Sequence, residues 1–132
     1  MIFVDEKLPN SEIQNILDNA PIWSYVEFLG DYYSDISLTV NQGLNIYSRN
    51  GSILNAPLNS TALKIAADDV SVSHLIFCGN SSDAVDIINA HNVNLINNSI
   101  VNHLDESKIG SYADGTVNLP GYGICVSNSS AV

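Results

Sequence analysis

Short apolar strand patterns recur at a fixed spacing along most of this chain, and that recurrence limits the possible folds more than any other feature. Val70 and Val93, Val72 and Leu95, and Phe77 and Ile100 are each separated by 23 residues. Leu38 and Leu63, like Val40 and Ile65, are separated by 25. The segment from Gly123 to Val132 lies over Ala84 to Val93 at a constant offset of 39, which sets Ile124 on Val85, Val126 on Ile87 and Val132 on Val93. The excess of 16 over the 23-residue period falls between His103 and Tyr122, so one unit carries an outward loop. Self-similarity at a period of 20–50 residues is the signature of stacked repeats, each a unit that cannot bury its apolar face alone.

Within a unit the pattern alternates with period 2, as in Ile36-Ser37-Leu38-Thr39-Val40 and Leu44-Asn45-Ile46-Tyr47. This is the period of strands with one face inside and one outside. Three such strands of three to five residues make one unit, joined by corners rich in Asn, Ser, Asp and Gly. The chain holds 17 Asn and 17 Ser. Asn suits corners because it tolerates the left-handed backbone region and hydrogen-bonds nearby main chain, and stacked Asn can form ladders between units. The alignment predicts inward rungs of Leu38, Leu63, Val85 and Ile124, and of Val40, Ile65, Ile87 and Val126. Thr39, Lys64, Asp86 and Cys125 then form an outward column on the same sheet, with Lys64 beside Asp86. Cys78 falls on a different sheet from Cys125.

The first 22 residues depart from the repeat. Ile2 to Val4 reads as a short strand. Ser11 with Gln14 three residues later forms a capping-box pattern, and Ile13, Ile16 and Leu17 share one helical face. Pro21 ends the run. A helix over 11–18 is therefore predicted to cover the N-terminal end of the stack, protecting strand edges that would otherwise lie open. The expected organisation is one domain over 1–132: a cap over 1–22, stacked coils over 23–103, an outward loop over 104–121, and the start of a further coil over 122–132. That last coil reads as truncated. An exposed apolar face is expected around Val93, Leu95 and Ile100.

The segments Ala84-Val85-Asp86-Ile87-Ile88-Asn89-Ala90-His91-Asn92-Val93-Asn94-Leu95-Ile96-Asn97-Asn98-Ser99-Ile100 and Gly123-Ile124-Cys125-Val126-Ser127-Asn128-Ser129-Ser130-Ala131-Val132 resemble the right-handed parallel β-helix repeat family, the pectate-lyase-like solenoids. The resemblance covers the chain from Ile36 onward. Residues 11–40, with Gly30-Asp31-Tyr32-Tyr33, also resemble the opening segment of archaeal cell-surface adhesin-like β-helix proteins. The resemblance implies an all-β fold, a right-handed single-stranded parallel β-helix with a short N-terminal capping α-helix. It implies no single activity, because the architecture carries lyases, hydrolases, epimerases and inert stalks alike.

Charge excludes some partners. Lys and Arg number 4 against 14 Asp and Glu, for a net charge of -10. Such a chain repels phosphate backbones and anionic membrane surfaces, and no apolar run is long enough to span a bilayer. Neither a nucleic acid nor membrane insertion is expected. The two cysteines lack metal-ligand spacing. His74, His91 and His103 miss the 23-residue stacking that a solenoid metal site would require. No metal and no cofactor is expected.

The Asp68-Asp69 pair is similar to the paired Asp of β-helical polygalacturonase-type hydrolases, but the accompanying His and Arg-Ile-Lys signatures are missing. Corner carboxylates that cap turns are the better reading. Lys64 and Arg49 do not sit where a lyase would need a proton acceptor, so no catalytic residue is assigned. Candidate binding residues belong to the outward loop: Tyr112 and Tyr122 as glycan platforms, with Asp105, Glu106 and Asp114 as oxygen donors. Tyr32, Tyr33 and Tyr47 cluster near the first coil, where packing at a corner is the plainer role. Five Asn-x-Ser/Thr sequons, starting at Asn50, Asn59, Asn80, Asn97 and Asn128, give weak support to an extracellular setting. The function expected is a non-catalytic module of the cell surface or extracellular space, adhesin-like or stalk-like, binding a surface glycan or polysaccharide. The stack would continue in further coils past Val132. The alternative is the N-terminal part of a carbohydrate-active β-helix enzyme, a polysaccharide lyase or glycoside hydrolase. A viral or phage fibre fragment is a third reading.

Overall fold

A computed structural model describes residues 1–78, 83–101 and 124–132. The chain is a parallel β-helix of four coils. Each coil contributes one short strand to each of three sheets. The first sheet runs β1 (Ile2–Val4), β2 (Tyr25–Phe28), β5 (Asn45–Tyr47), β8 (Val70–Ser73) and β11 (Val93–Ile96). The second stacks β3 (Tyr32–Tyr33), β6 (Ile53–Asn55), β9 (Ile76–Cys78) and β12 (Ser99–Val101). The third stacks β4 (Leu38–Val40), β7 (Leu63–Ile65), β10 (Val85–Ile88) and β13 (Ile124–Ser127). Every pairing among these strands is parallel.

The register follows the sequence alignment. Leu38, Leu63, Val85 and Ile124 form one rung column, and Val40, Ile65, Ile87 and Val126 another. Between them Thr39, Lys64, Asp86 and Cys125 line up facing outward. Slipping any of these strands by one residue would drive Lys64 and Asp86 into the core and expel the aliphatic rungs, so the apolar interior fixes the pairing. Corners adopt the left-handed region at Asp35, Asn59, Asp69, Asn89, Asn92, Asn97 and Asn128. Asn92 Nδ2 donates to Asp69 Oδ1 at 2.8 Å, a corner ladder between successive coils.

The N-terminal end is closed on all three sheets by different means. On the first sheet β1 pairs with β2. On the second, Glu6 Oε2 accepts the N–H groups of Asp31 at 3.1 Å and Tyr32 at 2.9 Å. On the third, α1 (Asn10–Asn19) lies against β4. Ile13 and Leu17 are fully buried there, and Ile16 is partly buried against the same core.

The capping box does not form. The N-cap is Pro9 without a side-chain cap bond, and Ser11 is exposed inside the helix. Gln14 reaches the strand edge instead: its Oε1 accepts the Thr39 N–H and its Nε2 donates to the Thr39 carbonyl, both at 2.8 Å. One amide thereby satisfies two main-chain groups of an open edge, where a local cap bond would satisfy one group at a solvated helix end. Asn10 Oδ1 adds a bond from the Ser37 N–H, and Gln42 Nε2 donates to the carbonyls of Leu17 and Ala20.

Tyr33 is a core residue. It forms the first rung of the second sheet, above Leu54, and packs against Phe28 with ring centroids 5.3 Å apart and planes tilted by 58°. Its hydroxyl donates to the carbonyls of Val4 and Leu29. Burial, with Asp5 and Glu6 nearby, raises the phenol well above its usual range.

At the other end the expected exposed face is displaced. Val93 is fully buried, because its N–H donates to the Ala131 carbonyl at 3.0 Å and the chain covers it. Leu95 is half-buried and Ile100 is exposed. The apolar surface centres on Ile100, Val101, Ile124 and Val126. The loop over 104–121 lies outside the described residues.

Candidate functional site

The outward face of the first sheet carries two side-chain columns. One runs Tyr25, Asn45, Ser71, Asn94 and the other Phe3, Glu27, Tyr47, Ser73, Ile96. Strand alternation sends Val26, Ile46 and Val72 inward from the same strands, so the packed interior holds these columns in place. Between them lies a groove of about 440 Å³ lined by Met1, Tyr25, Asn45, Ile46, Tyr47, Ser71 and Ser73. Tyr25 and Tyr47 meet edge to face, with ring centroids 6.4 Å apart and planes at 77°. Tyr25 is 58% exposed. The Tyr47 hydroxyl donates to Met1 Sδ at 3.2 Å, which ties that ring to the groove wall. Asn45 Nδ2 donates to the Trp23 carbonyl at 3.2 Å, which fixes the amide at the groove wall. The hydroxyls of Ser71 and Ser73 make no side-chain hydrogen bond among the described residues. Beside the groove, Glu27 is buried and meets Arg49 Nε at 3.5 Å.

The arrangement combines aromatic faces, hydroxyls and amides with a neutralised acid, and it contains no nucleophile with a base. The paired acids Asp68 and Asp69 are engaged at the corner ladder: Asp68 Oδ1 accepts the His91 N–H at 2.8 Å, and Asp69 Oδ1 accepts from Asn92. They support the fold where the sequence pattern alone left room for hydrolytic chemistry. His91 Nδ1 pairs with Ser130 Oγ, and His74 is exposed in a left-handed corner. Tyr112, Tyr122, Asp105, Glu106 and Asp114 lie outside the described residues, as does His103. Sequence reasoning missed the groove because Tyr25, Asn45 and Ser71 are 20 and 26 residues apart. The usable signal was their shared outward parity beside the rung residues Val26, Ile46 and Val72.

A second cluster sits on the third sheet. One oxygen each of Asp83 and Asp86 and the sulfur of Cys125 lie within 4.8 Å of one another, all half-buried. Cys125 stands opposite Asp86 in the β10–β13 pairing. Asp86 Oδ2 accepts from Thr61 Oγ1 at 3.1 Å, whereas its Oδ1 is shut off from solvent without a hydrogen bond. Burial raises the Asp86 carboxyl to about 6, and the adjoining Asp83 carboxyl adds to the rise, while Thr61 and Lys64 oppose it. Both cysteines are free thiols, Cys78 on the second sheet and Cys125 on the third. Among the described residues no helix is long and apolar enough to cross a membrane. Comparison with protein-family models, with curated proteins and with solved structures finds no match to this chain.

Proposed function

We propose that this β-helix is a non-catalytic module of the cell surface or extracellular space that binds a neutral glycan in the groove on the first sheet. The observation that carries the reading is the Tyr25–Tyr47 pair standing over the unengaged hydroxyls of Ser71 and Ser73. Sugars present apolar C–H faces and a rim of hydroxyls, and they bind where aromatic rings adjoin fixed polar groups. The net charge of -10 disfavours uronate or sulfated polymers at this surface. The resemblance to adhesin-like β-helix proteins favours the same setting. The engagement of Asp68 and Asp69 in the corner ladder weighs against the glycosidase alternative, which needs two available carboxylates facing one sugar.

The test is calorimetric titration of the full chain with neutral gluco-, manno- and galacto-oligosaccharides, each beside its uronate counterpart. A neutral oligosaccharide is expected to bind, and Tyr25→Ala and Tyr47→Ala should each weaken it about ten-fold, or roughly 1.4 kcal/mol. Both rings lie on the outer face, so circular dichroism should be unchanged. Absence of neutral-sugar binding, preference for uronates, or indifference to both substitutions would each reject the proposal.

A further inference from the structure

We propose that Trp23 forms a second sugar subsite at the edge of the groove on the first sheet, so that the ligand is a linear neutral oligosaccharide laid along the strand direction. This inference rests on the glycan reading of that groove. Trp23 precedes β2 by two residues and stands just outside the groove wall. Its backbone is left-handed, with a φ of 66°, and it is 63% exposed. The register of β2, β5, β8 and β11 places Trp23, Gly43, Asp69 and Asn92 at one corner of successive coils. Asp69 and Asn92 are left-handed there too, at 60° and 59°, and they belong to the residue types that tolerate this region. A bulky aromatic residue in the same region is strained. Most of its surface stays in water, so burial does little to offset the strain. Strain at a corner where the fold favours Asn or Asp marks a side chain whose role lies outside the fold.

The neighbouring coil holds this corner in place. The Trp23 N–H donates to the Gly43 carbonyl at 2.6 Å, and the Trp23 carbonyl accepts from Asn45 Nδ2 at 3.2 Å. Gly43 has no side chain, and Trp23 Cδ1 lies 3.4 Å from where a Cβ would stand, so the indole edge rests over the next coil. Asn45 joins the two parts of the site, since it lines the groove and clamps the Trp23 backbone. Tyr47 pairs with Glu27, so Trp23, Tyr25 and Tyr47 step across the sheet over four residues of strand, a span of at most about 13 Å. That length suits several linked sugars better than one. Indole offers a large aromatic face to sugar C–H groups and adds contact without charge. The Asp68 and Asp69 carboxylates belong to the corner that stacks on Gly43, and they repel anionic chains, in agreement with a neutral ligand.

Trp23 is the sole tryptophan of the chain, so its emission reports on this subsite directly. The test titrates the full chain with di-, tetra- and hexasaccharides of the neutral gluco-, manno- and galacto-series, followed by calorimetry and by tryptophan fluorescence. Expected are tighter binding of a hexasaccharide than of its disaccharide, and a blue shift of the emission with the longer ligand alone. Trp23→Gly should weaken hexasaccharide binding about ten-fold and leave disaccharide binding unchanged. Glycine is at ease at this φ, so the urea midpoint of that variant should equal or exceed the parent's. Trp23→Asn, which copies the corner residue at Asn92, should behave alike. A lower midpoint in both variants would show that the ring serves the fold, which overturns the proposal. Tyr25-dependent hexasaccharide binding with a still emission, or with full affinity in Trp23→Gly, overturns the subsite and leaves the groove reading standing. Absence of neutral-sugar binding at every length removes both. An emission shift on concentrating the chain without sugar would assign the ring to a contact between copies and overturn the subsite as well.

Discussion

Asp86 and Gly30 show how much a single position in a solenoid depends on neighbours a whole coil away. Gly30 has a left-handed φ of 85°, and a Cβ there would fall 2.6 Å from Glu6 Cδ. Glycine is required so that Glu6 can lie close and close the β3 edge. Asp86 illustrates the opposite case, a charged residue at a position that stacking makes costly. Its carboxyl is raised from 3.8 to about 6, chiefly by burial and then by Asp83. A carboxyl raised on folding contributes stability that is fully present below the unfolded pKa and is lost as pH rises through the folded one. The urea midpoint of the chain should therefore decline as pH rises from about 4 to about 6. Denaturation series at several pH values, run beside Asp86→Asn, measure this. The same decline in the variant would show that another group is responsible.

At the scale of an element, α1 acts as a substitute strand for the third sheet. Its buried face, Ile13 and Leu17, covers the core, while Gln14 engages both main-chain groups of Thr39. Gln14→Ala removes the donor and the acceptor together and should cost about 1–3 kcal/mol, the penalty for leaving polar groups poorly paired at a partly buried edge. Gln14→Glu keeps the acceptor for the Thr39 N–H but sets a carboxylate oxygen against the Thr39 carbonyl, so it should also destabilise the fold. Urea unfolding of both variants measures the effect. A Gln14→Glu chain as stable as the parent would show that the bidentate contact contributes little.

Across the whole molecule the two ends of the stack differ. The N-terminal end is closed by β1, Glu6 and α1, whereas the last described coil exposes Ile100 at 38%, Ile124 at 45% and Val126 at 48%. These side chains continue inward rungs that are fully buried one coil earlier, at Phe77, Val85 and Ile87. Apolar rungs beside open strand edges promote association. The sedimentation mass of the chain is expected to rise with concentration, and an Ile124→Lys, Val126→Lys double variant should reduce that rise while leaving the circular dichroism intact. A chain that stays monomeric throughout the concentration range would contradict this.

The rungs, their parity and the left-handed Asn corners were legible in the sequence because a stack shares one interior. Each inward position must be apolar, and its counterpart one coil later must be apolar too, so the period is written directly into the residues. The 39-residue offset that pairs Ile124 with Val85 was readable for the same reason. Outward positions carry no such constraint, and there the linear chain says little. Nothing in the pattern of Ser11 and Gln14 distinguishes a local cap from an amide that closes a strand edge 25 residues away. Val93 is covered by the segment at Ser130 and Ala131, and Tyr33 is a rung, where composition alone places a tyrosine near the surface. The groove of Tyr25, Asn45, Tyr47, Ser71 and Ser73 exists only after coiling, whereas the pairing of Asp86 with Cys125 follows from the 39-residue offset. Periodic burial is a property that each residue reports individually, whereas a site is a set of distances between residues of different coils, and only the tertiary structure decides those.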